Sequence, residues 1–256
     1  VSSPTALGAA WRFLTRVPVG DASRDGAVMH RAPGWFPAVG VLVGGIAGAV
    51  HAAAEPLAGR TVAAALAVTV GALVTGAFHH DGLADIADAY GGGWDVEQRL
   101  AILKDSRHGT YGVMALVCAI VVQVAALASC DGVQGAVLLV AAHCGARAGS
   151  VSLIRFAPKA RDAGLGADTA RHFPTRSLVF ALLTGVVVQV ALLGVLAAWT
   201  VAAIAIAAAA VATLSARKIG GITGDALGAA EQVGETFVLV CGAVFVRHAG
   251  AWPWWR

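Results

Sequence analysis

Long apolar runs alternate with short polar ones along the chain, and that rhythm predicts the architecture. Continuous apolar stretches lie at about 35–54, 61–78, 111–129, 134–154, 177–198, 200–215 and 236–246. A hydrocarbon core of roughly 30 Å takes about 20 residues of helix to cross, and most of these windows approach that length. The last run is short for a crossing unless the residues before it extend it as helix. The period-two alternation of a membrane barrel is absent. The expected fold is therefore all-α: a polytopic helical membrane protein with about seven transmembrane helices. It forms a single integral-membrane domain over 1–256. Residues 1–34 set Arg12, Arg16, Arg24 and Arg31 among Trp11, Phe13, Leu14 and Val17, which predicts an interfacial segment lying on the membrane. The bundle fills 35–250, with polar motif loops at 79–110, 155–176 and 216–235.

Composition agrees with the pattern and narrows it. Hydrophobic residues make up 58% of the chain and charged ones 13%, with a mean hydropathy of +0.75, which excludes an ordinary soluble domain. Glycine is abundant in the spans, and Gly44-Gly45 with Gly48 predicts a close helix contact on the first of them. The net charge of +3 is small and sits in loops, so the partner it implies is the lipid bilayer and not nucleic acid. Cys118, Cys130, Cys144 and Cys241 are scattered with no CxxC pair, which indicates neither a zinc site nor a disulfide framework. The N-terminus shows no cleavable signal pattern, and Trp252, Trp254 and Trp255 read as an interfacial belt. All the lysines and arginines except Arg60, Arg147, Arg247 and Arg256 fall in 1–34, 79–110, 155–176 and 216–235. Basic loops stay in the cytoplasm, so these segments are expected on the inner face of the cytoplasmic membrane, together with any site they build.

Candidate chemistry concentrates in two of those segments. Phe78-His79-His80-Asp81-Gly82-Leu83-Ala84-Asp85-Ile86-Ala87-Asp88 holds Asp81, Asp85 and Asp88 at i, i+4 and i+7, on one helical face. Like charges so spaced repel, and a hard cation such as Mg²⁺ would relieve them; the alternative is a solvated acidic surface. Gly91-Gly92-Gly93 is expected to end that helix with a left-handed cap. Asp105 is a possible fourth ligand. Lys104 and Arg107 offer cations, and Ser106 and Thr110 hydroxyls, as phosphoryl transfer requires. Arg147 lies inside a span, where it needs either a carboxylate or a substrate phosphate, and His143 beside it reads as a hydrogen-bonded core residue. In the second segment, Thr223-Gly224-Asp225 is followed by Glu231 and Glu235 at i, i+4. Asp225 is either a helix cap or a ligand or general base, and His79 is a further base.

Three motifs in order resemble the cobalamin synthase family. They are the 78–88 segment, Lys104-Asp105-Ser106-Arg107-His108-Gly109-Thr110-Tyr111-Gly112, and Gly220-Gly221-Ile222-Thr223-Gly224-Asp225-Ala226-Leu227-Gly228-Ala229-Ala230. Phe13-Leu14-Thr15-Arg16-Val17-Pro18-Val19 and Gly164-Leu165-Gly166 are similar to family features as well. Ile222 departs from the glutamine often found at its position. The resemblance implies a membrane-embedded, Mg²⁺-dependent adenosylcobinamide-GDP ribazoletransferase. Such an enzyme joins adenosylcobinamide-GDP to α-ribazole or its 5′-phosphate and releases GMP. It implies Asp81, Asp85, Asp88 and Asp105 as metal ligands, and Asp81, His79, Asp225 and Glu231 as catalytic groups. Lys104, Ser106, Arg107, Arg147, Thr223 and Glu235 would bind substrate and its phosphates. A homo-oligomer, or a complex with other cobamide-assembly enzymes, stays open. The rival classes are another Mg²⁺-dependent membrane transferase, such as a CDP-alcohol phosphotransferase, and a cation transporter. The first lacks its signature, since Asp85 stands where an arginine belongs. The second would bury its carboxylates at mid-span, whereas these are expected at span ends.

Overall fold

The computed structural model describes residues 4–18, 26–160 and 165–249. Val19, Arg24, Arg161, Gly164 and the tryptophans at 252, 254 and 255 lie outside them. In chain order the helices are α1 (Pro4–Leu14), α2 (Gly26–Met29), α3 (Phe36–Ala58), α4 (Arg60–Thr75), α5 (Phe78–Gly92) and α6 (Val96–Ile102). They continue as α7 (Thr110–Ala128), α8 (Gly132–Phe156), α9 (Leu165–His172), α10 (Thr175–Leu193), α11 (Leu196–Ile219) and α12 (Gly224–Ala249). Among the described residues the only strand-like pairing is one parallel bridge between Lys159 and Ile222.

Six helices are long and apolar enough to cross a membrane, namely α3, α7, α8, α10, α11 and α12. The protein is a multi-pass helical membrane protein. The expected second span proves to be half of a broken pair. α4 stops at Thr75, Gly76 and Ala77 both turn left-handed, and α5 leaves at 91° to α4. Sixteen residues of α4 rise about 24 Å on their own. α5 therefore adds width at one end of the bundle instead of depth, and it carries the acidic motif there.

The motif segments 79–110 and 216–235 are largely helix, as the helical spacing of their carboxylates predicted. Residues 79–92 belong to α5, and α12 is one continuous helix of 26 residues. The polar run 220–235 is thus a short link followed by the first half of α12. That resolves the short final apolar run: its helix begins well upstream, and the intervening Glu231, Gln232 and Glu235 are buried against other helices. Averaged hydropathy cannot distinguish polar residues facing solvent from polar residues facing one another.

α8 is the most buried span. Its start is fixed by a capping box in which Asp131 accepts from the Gln134 amide at 2.9 Å while the Gln134 side chain accepts from the Asp131 amide at 3.0 Å. α3 lies along α8 through Gly40, Gly44 and Gly48, each of which meets α8 backbone where a side chain would start. The expected Gly44-Gly45 pair is therefore split: Gly45 faces open space, and the stripe runs every fourth residue, as one helical face requires. α12 packs on α5, α8 and α11, and α5 itself rests on α12 and α7. Gly91–Gly93 do end α5, but Gly93 is extended (φ −87°, ψ 136°) and not left-handed.

Candidate functional site

α5 presents two faces with opposite characters. Asp81 and Asp85 project from its outer face, with side chains 62% and 18% exposed. His79 and His80 turn inward and are buried. The α6–α7 loop brings His108 over the acidic face, with Nε2 3.7 Å from Asp81 Oδ1 and Nδ1 3.8 Å from Asp85 Oδ1. Gly82 packs so closely on the first turn of α12 that a Cβ there would sit 2.8 Å from the Asp225 carbonyl oxygen. This contact sets Asp225 beside Asp85. Burial, reinforced by the charges of Asp81 and Asp225, pushes the Asp85 carboxyl up to about 6, while His108 pulls the other way. Anions crowded like this favour a bound cation.

Asp81, Asp85 and His108 each offer an atom within 4.8 Å of the other two. Two carboxylates facing solvent fit Mg²⁺, which takes few protein oxygens and leaves the rest of its shell to water and phosphate. The imidazole is a less usual neighbour for that ion and suits hydrogen bonding to an anion equally well.

Other expected ligands lie elsewhere. Asp88 accepts from the Gly109 amide at 2.7 Å and the Gly112 amide at 2.9 Å, so it caps the start of α7 and fixes the loop that carries His108. Neither glycine has room for a Cβ against that carboxylate. Asp105 is bound by Arg107 (Nη2 to Oδ2 2.6 Å), which holds its carboxyl at about 2. The pair is exposed and apart from the Asp81–Asp85–His108 group. Ser106 and Lys104 are exposed on the same loop. Thr223 takes the capping position expected of Asp225: its hydroxyl accepts from the Ala226 amide at 3.3 Å and donates to Asp225 Oδ2 at 3.2 Å.

Beneath α5 lies a second, closed constellation. Arg147, 1% exposed, places Nη1 2.6 Å from Glu231 Oε1 and also donates to the His143 carbonyl at 2.9 Å. His143 Nδ1 lies 2.9 Å from Glu235 Oε2, and His79 Nδ1 is 3.4 Å from Glu231 Oε2. Gln232 donates to Glu231, and Gln123 reaches Gln232 and Thr236. Arg147 thus has a carboxylate partner, the first of its two expected alternatives, and His143 is the hydrogen-bonded core residue that its position predicted. The expectation that carboxylates stay at span ends fails for Glu231 and Glu235, which are 0% and 4% exposed among the helices. Pairing with Arg147 and His143 is what lets them be there. A cavity of about 10 Å³, room for one water, is lined by His79, His80, Gln123, His143, Arg147 and Glu235 among others.

The sequence reading missed three fixing contacts. His108 was read only as part of its motif. Lys159 donates to the last carbonyls of α8, those of Leu153, Ile154 and Ala157. Tyr90 ties α5 to α11 by a 2.8 Å hydrogen bond to Ser215. A lysine just past a helix end was the available signal for the second; the other two depend on contacts between distant segments.

A multi-pass helical bundle with an open acidic face on a re-angled helix defines a membrane protein with a candidate cation site at one end of the bundle. The profile of the cobalamin-5-phosphate synthase family matches residues 6–243, and the chain belongs to that family. A protein of Bradyrhizobium diazoefficiens is 42% identical over 91% of each chain. One of Ralstonia nicotianae is 38% identical over 89% of this chain and 90% of its own. A third, from Shewanella pealeana, is 37% identical over 94% of both. All three are named adenosylcobinamide-GDP ribazoletransferase. No solved structure matches.

Proposed function

We propose that this chain joins adenosylcobinamide-GDP to α-ribazole or its 5′-phosphate, with Mg²⁺, at the cytoplasmic face of the cell membrane. The observation that carries this reading is the grouping of Asp81, Asp85 and His108 on an exposed face next to Asp225, in a chain of this family. A ribose hydroxyl of the ribazole attacks the phosphorus that bears the cobinamide side. A phosphodiester forms, the bond to the GMP phosphate breaks, and the hydroxyl proton is released.

Asp81 and Asp85 would hold the metal ion, which supplies charge neutralisation for the diphosphate and the departing GMP. Asp225 is best placed of the base candidates to receive the proton, because it borders the acidic face and is partly exposed. Glu231 and His79 are enclosed and engaged with Arg147 and with each other, so they support α5 from below. His108 orients anionic oxygens above Asp81 and Asp85.

The test is turnover by purified protein in lipid, given adenosylcobinamide-GDP and α-ribazole phosphate with and without Mg²⁺, beside Asp81→Asn. GMP release that requires the ion and collapses in the variant supports reaction and site together. Release that survives the substitution removes the metal from Asp81. No release from folded protein removes the reaction.

A further inference from the structure

The cations that sequence assigned to phosphate are mostly engaged. Arg147 is sealed with Glu231 and Arg107 is bound to Asp105, while Lys104 is exposed on its loop; Arg99, outside that set, donates to the Lys218 and Trp94 carbonyls. The segment that the sequence singled out at 13–19 has so far been given no work. Its backbone is held at several points. The Thr15 amide donates to the Trp11 carbonyl at 2.9 Å, and the Trp11 indole to the Val17 carbonyl at 3.0 Å. The Arg16 amide donates to the Val74 carbonyl at 2.8 Å, across to the last turn of α4. Phe13 packs edge-on against Phe78, the first residue of α5, with ring centroids 5.2 Å apart. Arg16 therefore stands beside the joint that aims α5, and its side chain lies over Gly76. A Cβ at Gly76 would collide with Arg16 Nε, so the glycine that takes φ +64° at the bend also gives the side chain its bed. The residue is exposed, and among the described residues it pairs with no carboxylate.

We propose that Arg16 is a phosphate-binding residue of this site, contacting the diphosphate of the nucleotide-activated substrate as that group lies along α5 toward Asp81. The proposal rests on the reading of the chain as a transferase acting on a diphosphate. A guanidinium on a backbone fixed in advance loses little freedom on binding, and its planar fork suits two phosphate oxygens better than a lysine's point charge does. It also supplies positive charge at the start of the helix whose acidic face otherwise repels an anion until a metal is bound.

Arg16→Met keeps the apolar stem against Gly76 and removes only the charged head. The experiment compares wild type, Arg16→Met and Arg16→Lys in lipid, with unphosphorylated α-ribazole as acceptor so that one substrate alone carries phosphate. The expected result is a KM for adenosylcobinamide-GDP raised about ten- to a hundredfold in Arg16→Met, as loss of a charge-assisted hydrogen bond implies. Arg16→Lys should recover part of it, and the KM for α-ribazole and the thermal midpoint should stay put. Affinity for inorganic pyrophosphate, measured by calorimetry, should fall in parallel. Unchanged KM and pyrophosphate affinity in Arg16→Met overturn the proposal. So does a loss of stability that degrades both substrates equally, which would make Arg16 a structural clamp on the bend. If wild type turns nothing over, the transferase reading fails, and the pyrophosphate comparison alone still decides whether Arg16 binds phosphate.

Discussion

Two clusters of carboxylates and imidazoles lie on opposite sides of α5, only the inner one holding an arginine, and they differ in almost every physical respect. Asp81, Asp85 and His108 face outward at hydrogen-bond distances too long to satisfy one another. Arg147, Glu231, His143 and Glu235 face inward and close on themselves at 2.6–2.9 Å. An accessible cluster of like charges can take a ligand from solution, whereas an enclosed one whose opposite charges face each other spends them on holding helices together. Arg147 binds α8 to α12, and His79 reaches Glu231 of α12 from α5. The buried cluster is therefore the floor on which the open one stands, and substitutions should separate loss of chemistry from loss of structure.

The largest effect is expected from Asp81→Asn. Removing one of the two carboxylates for the cation should lower turnover by about a hundred- to a thousandfold, the scale of losing one electrostatic contact to the reacting charges. Thermal stability should hold or rise slightly, because repulsion from Asp85 is relieved. A variant that loses activity by unfolding would erase the contrast between the two clusters.

Arg147→Met should do the opposite. Glu231 would be left buried with no cation, which costs about 3–5 kcal/mol. The measurement is the thermal midpoint and folded yield of detergent-solubilised protein. Arg147→Met combined with Glu231→Gln should recover most of that stability, since neither buried charge remains. Turnover of the folded double variant then sharpens the comparison. Activity within tenfold of wild type places Glu231 in the floor, and a loss as deep as that of Asp81→Asn moves it into the chemistry.

How much of this was legible in sequence follows from the range of the interactions. The acidic face and most of the spans follow from local spacing and from runs of apolar residues, and both were readable; the Asp131–Gln134 box is just as local but formed no part of the sequence reading. Asp88 shares a helical face with Asp81 and Asp85, as its spacing said, but the turn of α5 that it occupies abuts the start of α7. Only the contact with Gly109 and Gly112 reveals that it serves as a cap. The Arg147–Glu231 pair joins residues far apart in the chain, and a need for some partner was all that α8 alone could announce. Glu231 and Glu235 read as one helical face at i, i+4, and α12 carries both as continuous helix; only the contacts with Arg147 and His143 reveal that the face is turned inward.

Asp88→Ala should give an intermediate effect. Two charged hydrogen bonds to amides disappear at a buried position, which costs about 1.5–3 kcal/mol each before relaxation. The α6–α7 loop should loosen and His108 with it. Turnover should therefore fall with stability, by less than in Asp81→Asn, and hydrogen exchange should quicken at the start of α7 while the Arg147 network stays protected. Exchange that stays slow at Gly109 and Gly112 would remove Asp88 from the role of cap.

The smallest effect concerns the bend itself. Ala77 takes φ 57°, a left-handed conformation that costs a residue with a Cβ roughly 1–2 kcal/mol. Gly76 before it takes the same region without that cost. Ala77→Gly should thus relieve strain in the folded state while adding freedom to the unfolded chain, worth about 0.5–1 kcal/mol in the opposite direction. The net expectation is a rise in stability of up to about 1 kcal/mol, read as a small upward shift of the thermal midpoint. Activity is the more informative readout. Ala77 restricts the angle between α4 and α5, so a glycine there should let α5 swing and weaken the registration of Asp81 and Asp85 with Asp225. A variant slightly more stable yet slower would show that the strain at Ala77 fixes the direction of the acidic helix. Full activity would leave that direction to Tyr90, Asp88 and the buried floor.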